Sequence, residues 1–366
     1  MEDHTATAAA GALLRDAIRC RMCSAAAAEV GSSDRIIWRV ACGTLSFAAE
    51  ASQAGEDTVF DLASLTKPIA TTSVVLALLA ERRMALDERV SACLDEWRGD
   101  DRGSVTIRDL LEHASGLPAR LVDAPPAGRR EFEHEICAIP LEYAPRARSL
   151  YSDLGFILLG FIASDRGAAS LETLFEAVAA TVRAVSGDRA GGPNAPVLGF
   201  RVPREAHART AVTRPLPDDP RKGRTLRAEV HDSYADRLGG VAGHAGLFGC
   251  VRGTGSFGRV VLRGARGRDG MPAPFSADAS IMATRRSRVP GSSRALGWDT
   301  MLPTSSCGSL MSPTAFGHVG FTGTSLWIDP TRDRYYVLLT NRAAGAGTLD
   351  EMARLRRGFH ESLAGV

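Results

Sequence analysis

The sequence predicts an α/β fold of the α+β kind: an antiparallel sheet flanked by terminal helices and assembled from both chain ends, with a mostly helical subdomain inserted between them. Three observations point there. The first stretch reads as a helix followed by short β-prone runs, residues 87–238 are mostly helical with long connections, and the last third returns to short strands and closes on a helix. At 366 residues the chain exceeds one average domain, so residues 1–86 and 245–366 are expected to form an α/β subdomain and residues 87–244 a helical one. A cleft between two such bodies is the natural place for a site.

Taken in order, residues 8–30 are rich in Ala and Leu and predict a helix. Residues 35–41 and 44–48, separated by Cys42 and Gly43, predict a hairpin. Residues 69–83 are apolar on nearly every side (Ile69, Val74, Val75, Leu76, Leu78, Leu79), which predicts a buried central helix. Thr106 to Asp109 has capping-box spacing and opens a short helix that ends at Gly116-Leu117-Pro118. Helices are predicted over 154–162 and 171–185, and the Gly-, Pro- and Arg-dense stretch 186–220 has too little period for regular elements. The run 239–246, with four glycines, predicts close backbone packing. Short strands follow at 295–298, 317–320, 324–328 and 335–340, with a turn at 329–333, before a final helix over 349–363.

Composition narrows the function. The formal charge is +2 with no basic stripe, so nucleic acid is not an expected partner. Seven cysteines, an odd number scattered along the chain, make no disulfide framework, and Cys20 with Cys23 lacks the second pair a zinc site needs. The start Met1-Glu2-Asp3-His4 is unlike the basic opening of a signal peptide. No run of about 18 apolar residues is apparent, so no membrane span is expected and a cytoplasmic location is the default. Neither cofactor nor metal is expected, since His113, His231 and His244 lack a spaced partner such as H-x-x-x-H.

The chemistry centres on Ser64-Leu65-Thr66-Lys67-Pro68. Ser64 and Lys67 are three residues apart, one helical turn, so hydroxyl and amine share a face. Pro68 suits the first turn of a helix, where backbone donors have no intrahelical acceptor, and this puts Ser64 at a positive helix end. Of 44 basic residues only Lys67 and Lys222 are lysines. A chain that uses arginine for its other fixed charges has a reason for a lysine at 67: an amine that burial can deprotonate, which guanidinium does not offer. Lys222, in the polar run 219–224, reads as a surface residue.

Three motifs then fall in order: Ser64-Leu65-Thr66-Lys67, Tyr151-Ser152-Asp153, and His318-Val319-Gly320 entering Phe321-Thr322-Gly323. Together with the phrases at 110–118, 239–248 and 338–342 they resemble the serine β-lactamase and penicillin-binding protein superfamily, in particular its class C β-lactamase-like branch with esterases and D-amino-acid peptidases. The resemblance runs from about residue 60 to 342. It implies an acyl-enzyme on Ser64, Lys67 as the group that polarises or deprotonates it, and Tyr151 as a second proton-transfer group. A phenol, with an ordinary pKa of ~10, needs a nearby cation to act as a base at neutral pH. The backbone N–H groups of Ser64 and Phe321 would form the oxyanion hole, and Asp153, His318 and Gly320 would face the substrate.

Departures from the family pattern bear on substrate. Where the third motif is typically Lys-Thr-Gly, His318 replaces the lysine and Val319 removes the hydroxyl. A fixed cation becomes a group mostly neutral at pH 7. Asp153 stands where the second motif has Asn, offering an acceptor that could pair with Lys67. Both changes favour a neutral small-molecule acyl substrate, a carboxylic ester above all, over an anionic β-lactam; a D-amino-acid peptidase or β-lactamase is the alternative, and a slow penicillin-binding sensor the alternative of another class. His113 and His244 are expected to be structural, and a Ser64 triad with His231 and Asp232 is disfavoured because the Lys/Tyr pair covers the base role. Oligomeric state has no signature in the sequence.

Overall fold

A computed structural model describes residues 2–121, 125–187, 195–364 and 366. The predicted class holds. Six antiparallel strands, β1 (Ala25–Gly31), β2 (Ile36–Gly43), β6 (Asp299–Thr300), β7 (Phe316–Val319), β8 (Ser325–Asp329) and β9 (Arg334–Thr340), form one sheet in the order β2-β1-β9-β8-β7-β6. Both chain ends therefore meet at the β1–β9 pairing, where Ala28 faces Leu338. A smaller sheet joins β3 (Val59–Asp61), β5 (Phe248–Cys250) and β4 (Leu198–Gly199) in the order β3-β5-β4, and it delivers the chain to Ser64.

Helices cover both faces of the large sheet. On one side lie α1 (Glu2–Arg19) and, packed against it, the last helix (Leu349–Ser362). Among the helices between them are α2 (Ser73–Ala80), α3 (Ile107–Leu111), α4 (Arg129–Ala138), α5 (Asp153–Gly167), α6 (Leu171–Ser186), α7 (Ser233–Arg237), α8 (Val251–Ala265) and α9 (Ala277–Thr284), which makes the last one α10. Side chains alternate between two cores as a strand requires: Ala26, Ala28, Val30, Tyr336 and Leu338 pack toward α1 and α10, while Ala25, Ala27, Tyr335, Val337 and Leu339 face the other way. That second core is continuous with Leu154, Phe156 and Phe175 of the helical segment, so the inserted helices share it.

Several expectations change. The predicted helix over 8–30 breaks at Arg21, whose φ is 56°, and its second half is strand β1. With both faces covered, β1 buries every residue and its alanines show no polar alternation, so the run Ala25 to Ala28 looks helical by composition. The hairpin accordingly lies one strand earlier, turning at Ser32 to Arg35, where Ser32 N–H donates to Arg35 O at 2.8 Å, and residues 44–48 are not a strand. The sequence reading also missed α8 and α9. Glycines hide α8: a Cβ on Gly255 would strike the Glu29 carboxylate, and one on Gly258 would sit 3.2 Å from Leu326 and Tyr335, so the absence of side chains lets this helix lie close on the sheet. The strand expected at 295–298 is displaced to Asp299–Thr300.

Other expectations hold. Thr106 and Asp109 form a reciprocal capping box on α3. The Gly239 to Gly246 run packs as tightly as its composition demands, since a Cβ on Gly243 would land on the Phe156 carbonyl and lie 2.9 Å from Gly160 N. Of the irregular stretch 186–220, residues 188–194 lie outside the described residues; the rest holds the two-residue strand β4 and a 3₁₀ segment, Arg204–Arg209.

Candidate active site

Ser64 sits in a 3₁₀ turn, Ala63–Leu65, that runs through one π-helical turn, Lys67–Thr72, into α2. The whole segment Ala63–Ala80 is long and apolar enough, by length and composition, to cross a membrane, but 78 % of it is buried and it carries the site residues. That marks it as the central core helix the sequence predicts. The approach to Ser64 is strained and braced. Ala63 has φ 48°, in the left-handed region, and its N–H donates to the Asp61 carboxylate at 2.8 Å, while the other Asp61 oxygen accepts from His231 N–H at 2.7 Å. Burial pushes the Asp61 carboxyl up to about 6 against these two donors.

Lys67 is completely buried beneath the serine. Its Nζ donates to Ser64 Oγ at 3.3 Å, to Asp153 Oδ1 at 2.8 Å and to the His244 carbonyl at 3.1 Å. Three acceptors use all three N–H bonds of an ammonium. The expectation that burial makes Lys67 a neutral amine is therefore corrected: burial does pull its pKa down, but the Asp153 carboxylate, with Tyr151, outweighs it and the net direction is up. Conversely, burial pushes the Asp153 carboxyl up, and Lys67, His244 and Arg120 hold it below its ordinary value. Lys67 Nζ also lies 4.7 Å from the centroid of the Tyr151 ring.

Tyr151, Ser152 and Asp153 are held at the start of α5. Ser152 Oγ caps the helix through Gly155 N–H, and Ser152 N–H donates to His113 Nδ1 at 3.0 Å. That bond leaves His113 its proton on Nε2, and its ring lies 4.7 Å from Tyr151. His113, expected to be structural, thus fixes the second motif directly. His318 lies on the other side, 5.9 Å from Tyr151, with Nδ1 donating to Val319 O at 2.9 Å and Nε2 buried with no hydrogen-bond partner among the described residues. Burial first, then the nearby cations Arg294 and Lys67, hold both imidazoles well below the usual histidine range, so both are neutral at pH 7.

Beyond the three motifs the structure adds a charged network. Arg120 spans Asp153 Oδ2 at 2.9 Å and Asp232 Oδ2 at 3.0 Å, and Asp232 Oδ1 meets His244 Nε2 at 2.8 Å. Burial would raise the Asp232 carboxyl, but His244 and Arg120 hold it well below its ordinary value. Asp153, Asp232 and His244 bring ligand atoms within 4.8 Å of one another, as a metal site does, yet Arg120 and Lys67 already supply the cations those carboxylates face. The Asp232–His244 bond also separates Asp232 from any triad through His231, whose ring instead stacks on Phe321 at 5.3 Å. Of this network the sequence singles out Asp153 through the second motif and His244 through its glycine-rich phrase, and offers Asp232 only in the disfavoured triad; Arg120 carries no motif.

The third motif docks onto the chain that enters the Ser64 turn. Thr322 Oγ1 donates to Asp61 O at 2.7 Å and Thr324 Oγ1 to Leu62 O at 3.0 Å, so the turn after β7 runs alongside the chain entering Ser64. Gly320 is needed at this contact, because a Cβ would meet Leu62 O. It does not itself line the cleft, in contrast to the expected substrate contact. Ser64, Tyr151, Asp153, His318 and Phe321 do line it, around a cavity of about 730 Å³.

A serine and a buried lysine on one helix, a tyrosine beside them and a glycine turn at the end of β7 define a class, the serine hydrolases of the β-lactamase type. The chain belongs to the β-lactamase family, whose model matches residues 14–360. A protein of Salmonella gallinarum, a putative D-alanyl-D-alanine carboxypeptidase, is 32 % identical over 318 residues, covering 79 % of this chain and 71 % of that one. Among solved structures, EstCE1, a hydrolase with promiscuous acyltransferase activity, superposes with a TM-score of 0.74 at 17 % identity, covering 99 % of each chain. A class C β-lactamase from Rhodobacter sphaeroides gives 0.73 at 19 % identity, covering 97 % of this chain and 98 % of the other. These structural likenesses speak to the fold.

Proposed function

We propose that the protein forms an acyl-enzyme on Ser64 and hydrolyses carboxylic esters or related acyl compounds. The observation that carries this reading is the contact of Lys67 Nζ with Ser64 Oγ at the floor of the cleft. In this reading the Lys67 ammonium orients the hydroxyl and offsets charge growing on it, while Tyr151, whose ring lies beside that cation, takes the proton and returns it to the leaving group. The N–H groups of Ser64 and Phe321 receive the oxyanion; among the described residues the Phe321 N–H meets no backbone acceptor. The ester preference is supported by the neutral His318 and by the apolar walls at Leu121, Leu216, Val319 and Phe321. A fluorophosphonate probe followed by peptide mass mapping should label Ser64, and p-nitrophenyl butyrate should turn over faster than nitrocefin. Label at another residue, or nitrocefin hydrolysed far faster than the ester, would reverse the assignment.

A second reading, a peptidase acting on a substrate with a terminal carboxylate, is favoured by one observation. Arg294 lines the cleft with its guanidinium 5.1 Å from the Tyr151 ring and, among the described residues, no carboxylate within ion-pair distance. The putative carboxypeptidases to which this chain is similar lend it support. Arg294→Gln decides between the two. The ester reading expects p-nitrophenyl butyrate hydrolysis within about threefold of wild type, and the carboxylate reading expects a loss of ~10-fold or more on a D-alanyl-D-alanine peptide, the scale of a hydrogen bond to a charged group.

A further inference from the structure

Arg356, on α10, is 5 % exposed, and among the described residues no carboxylate lies within ion-pair distance of it. A buried cation without an acid is costly unless other groups replace its water. Here backbone carbonyls do so at one nitrogen: Nη2 donates to Gly320 O at 2.7 Å and to Thr324 O at 2.9 Å, while Nε is buried with no hydrogen-bond partner among the described residues. Its other titratable neighbours do not neutralise it. His360, one helical turn on, is buried and held down to about 3 by burial and by Arg356 itself, and Arg342 is a second cation. Burial and Arg342 lower Arg356 only to about 9, so the guanidinium stays charged at neutral pH.

The Gly320 carbonyl belongs to the same peptide group as the Phe321 N–H. Because that unit is a resonance hybrid, a cation on its oxygen draws electron density from its nitrogen and makes the N–H a stronger donor. The adjoining peptide is held in the same way, with Arg342 Nε and Nη2 donating to Phe321 O at 3.0 and 2.6 Å. We infer that Arg356 is a positioning residue of the oxyanion hole, acting through the Gly320–Phe321 peptide to orient and polarise the Phe321 N–H toward charge that develops on the substrate. The inference rests on the acyl-enzyme reading above, and it explains why a helix on the far side of the sheet sends a cation to this turn.

The test compares Arg356→Gln, which can keep a hydrogen bond but not the charge, with Arg356→Lys, which keeps the charge. Arg356→Gln should lower kcat for p-nitrophenyl butyrate about 10–100-fold, somewhat less than deleting an oxyanion donor outright, with KM within about threefold. Affinity for a trifluoromethyl ketone, whose adduct places an oxyanion in the hole, should fall by the same factor, and Arg356→Lys should lose less of both than Arg356→Gln. A folded Arg356→Gln within threefold of wild type in kcat, or one that loses thermal stability and kcat with ketone affinity unchanged, would overturn the proposal. If Arg356→Gln does not fold, Arg356→Lys is read alone: its ammonium reaches one carbonyl, so kcat and ketone affinity should drop together by about three- to tenfold, and any other pattern overturns the role. Fluorophosphonate labelling of the wild type separates the two claims, since no label at Ser64 removes the acyl-enzyme reading, whereas label at Ser64 with an indifferent Arg356→Gln removes only Arg356.

Discussion

Lys67→Arg is expected to lower kcat/KM for p-nitrophenyl butyrate by at least ~10³-fold, about 4 kcal/mol of transition-state stabilisation. The side chain it replaces is fully buried and gives one N–H each to Ser64 Oγ, Asp153 and the His244 carbonyl. A tetrahedral ammonium meets three acceptors around one nitrogen; a planar, larger guanidinium spreads its donors in a fork and displaces Ser64. Charge alone is kept, so the variant isolates geometry and proton affinity from electrostatics. Steady-state kinetics of wild type, Lys67→Arg and Ser64→Ala, with circular dichroism as a fold control, provide the measurement. Activity within about tenfold of wild type, roughly 1.4 kcal/mol, would mean that a fixed positive charge is all the site asks of residue 67.

The second large effect is on stability. Asp153→Ala should destabilise the protein by about 3–5 kcal/mol at pH 7, because it leaves the Lys67 ammonium buried with one carboxylate fewer and frees Arg120 from half of its bridge. The sign of the pH dependence follows from the two directions. Asp153 is held below its ordinary value, so its contribution is present above ~4 and is lost as pH falls through its folded value. Lys67 is held above its ordinary value, so its contribution is present below ~10 and is lost as pH rises through its folded value. Urea unfolding of wild type and variant across pH 3–8 should show the two curves converging toward the acid end. A difference under ~1 kcal/mol at pH 7 would show that Lys67 readily gives up its proton or finds another partner once Asp153 is gone.

These predictions draw on different layers of information. The Ser64–Lys67 pair was legible because one helical turn is a local spacing, and the structure closes it to 3.3 Å. The order of Tyr151 and His318 behind it was legible through motifs, as were the capping box at Thr106 and the close packing at Gly243, each a local steric or hydrogen-bonding demand. The meeting of both chain ends in one sheet followed from the order of element types.

What lies across the fold was not legible. Whether Ala25 to Ala28 is helix or strand depends on the α1, α10 and α8 neighbours that cover it, since an alanine run carries no period. The charge state of Lys67 depends on Asp153, 86 residues away in sequence, because desolvation and a carboxylate at 2.8 Å pull in opposite directions and only the distance decides between them. Arg120, Asp232 and Arg356 are three among many charged residues until folding sets Arg120 between two carboxylates and Arg356 on the Gly320 carbonyl. From residue types and local spacing the chain determined that Ser64 and Lys67 share one turn and which family its motifs resemble; the tertiary structure alone decided the electrostatics around that pair, because Coulomb energy and desolvation depend on distances that sequence separation does not encode.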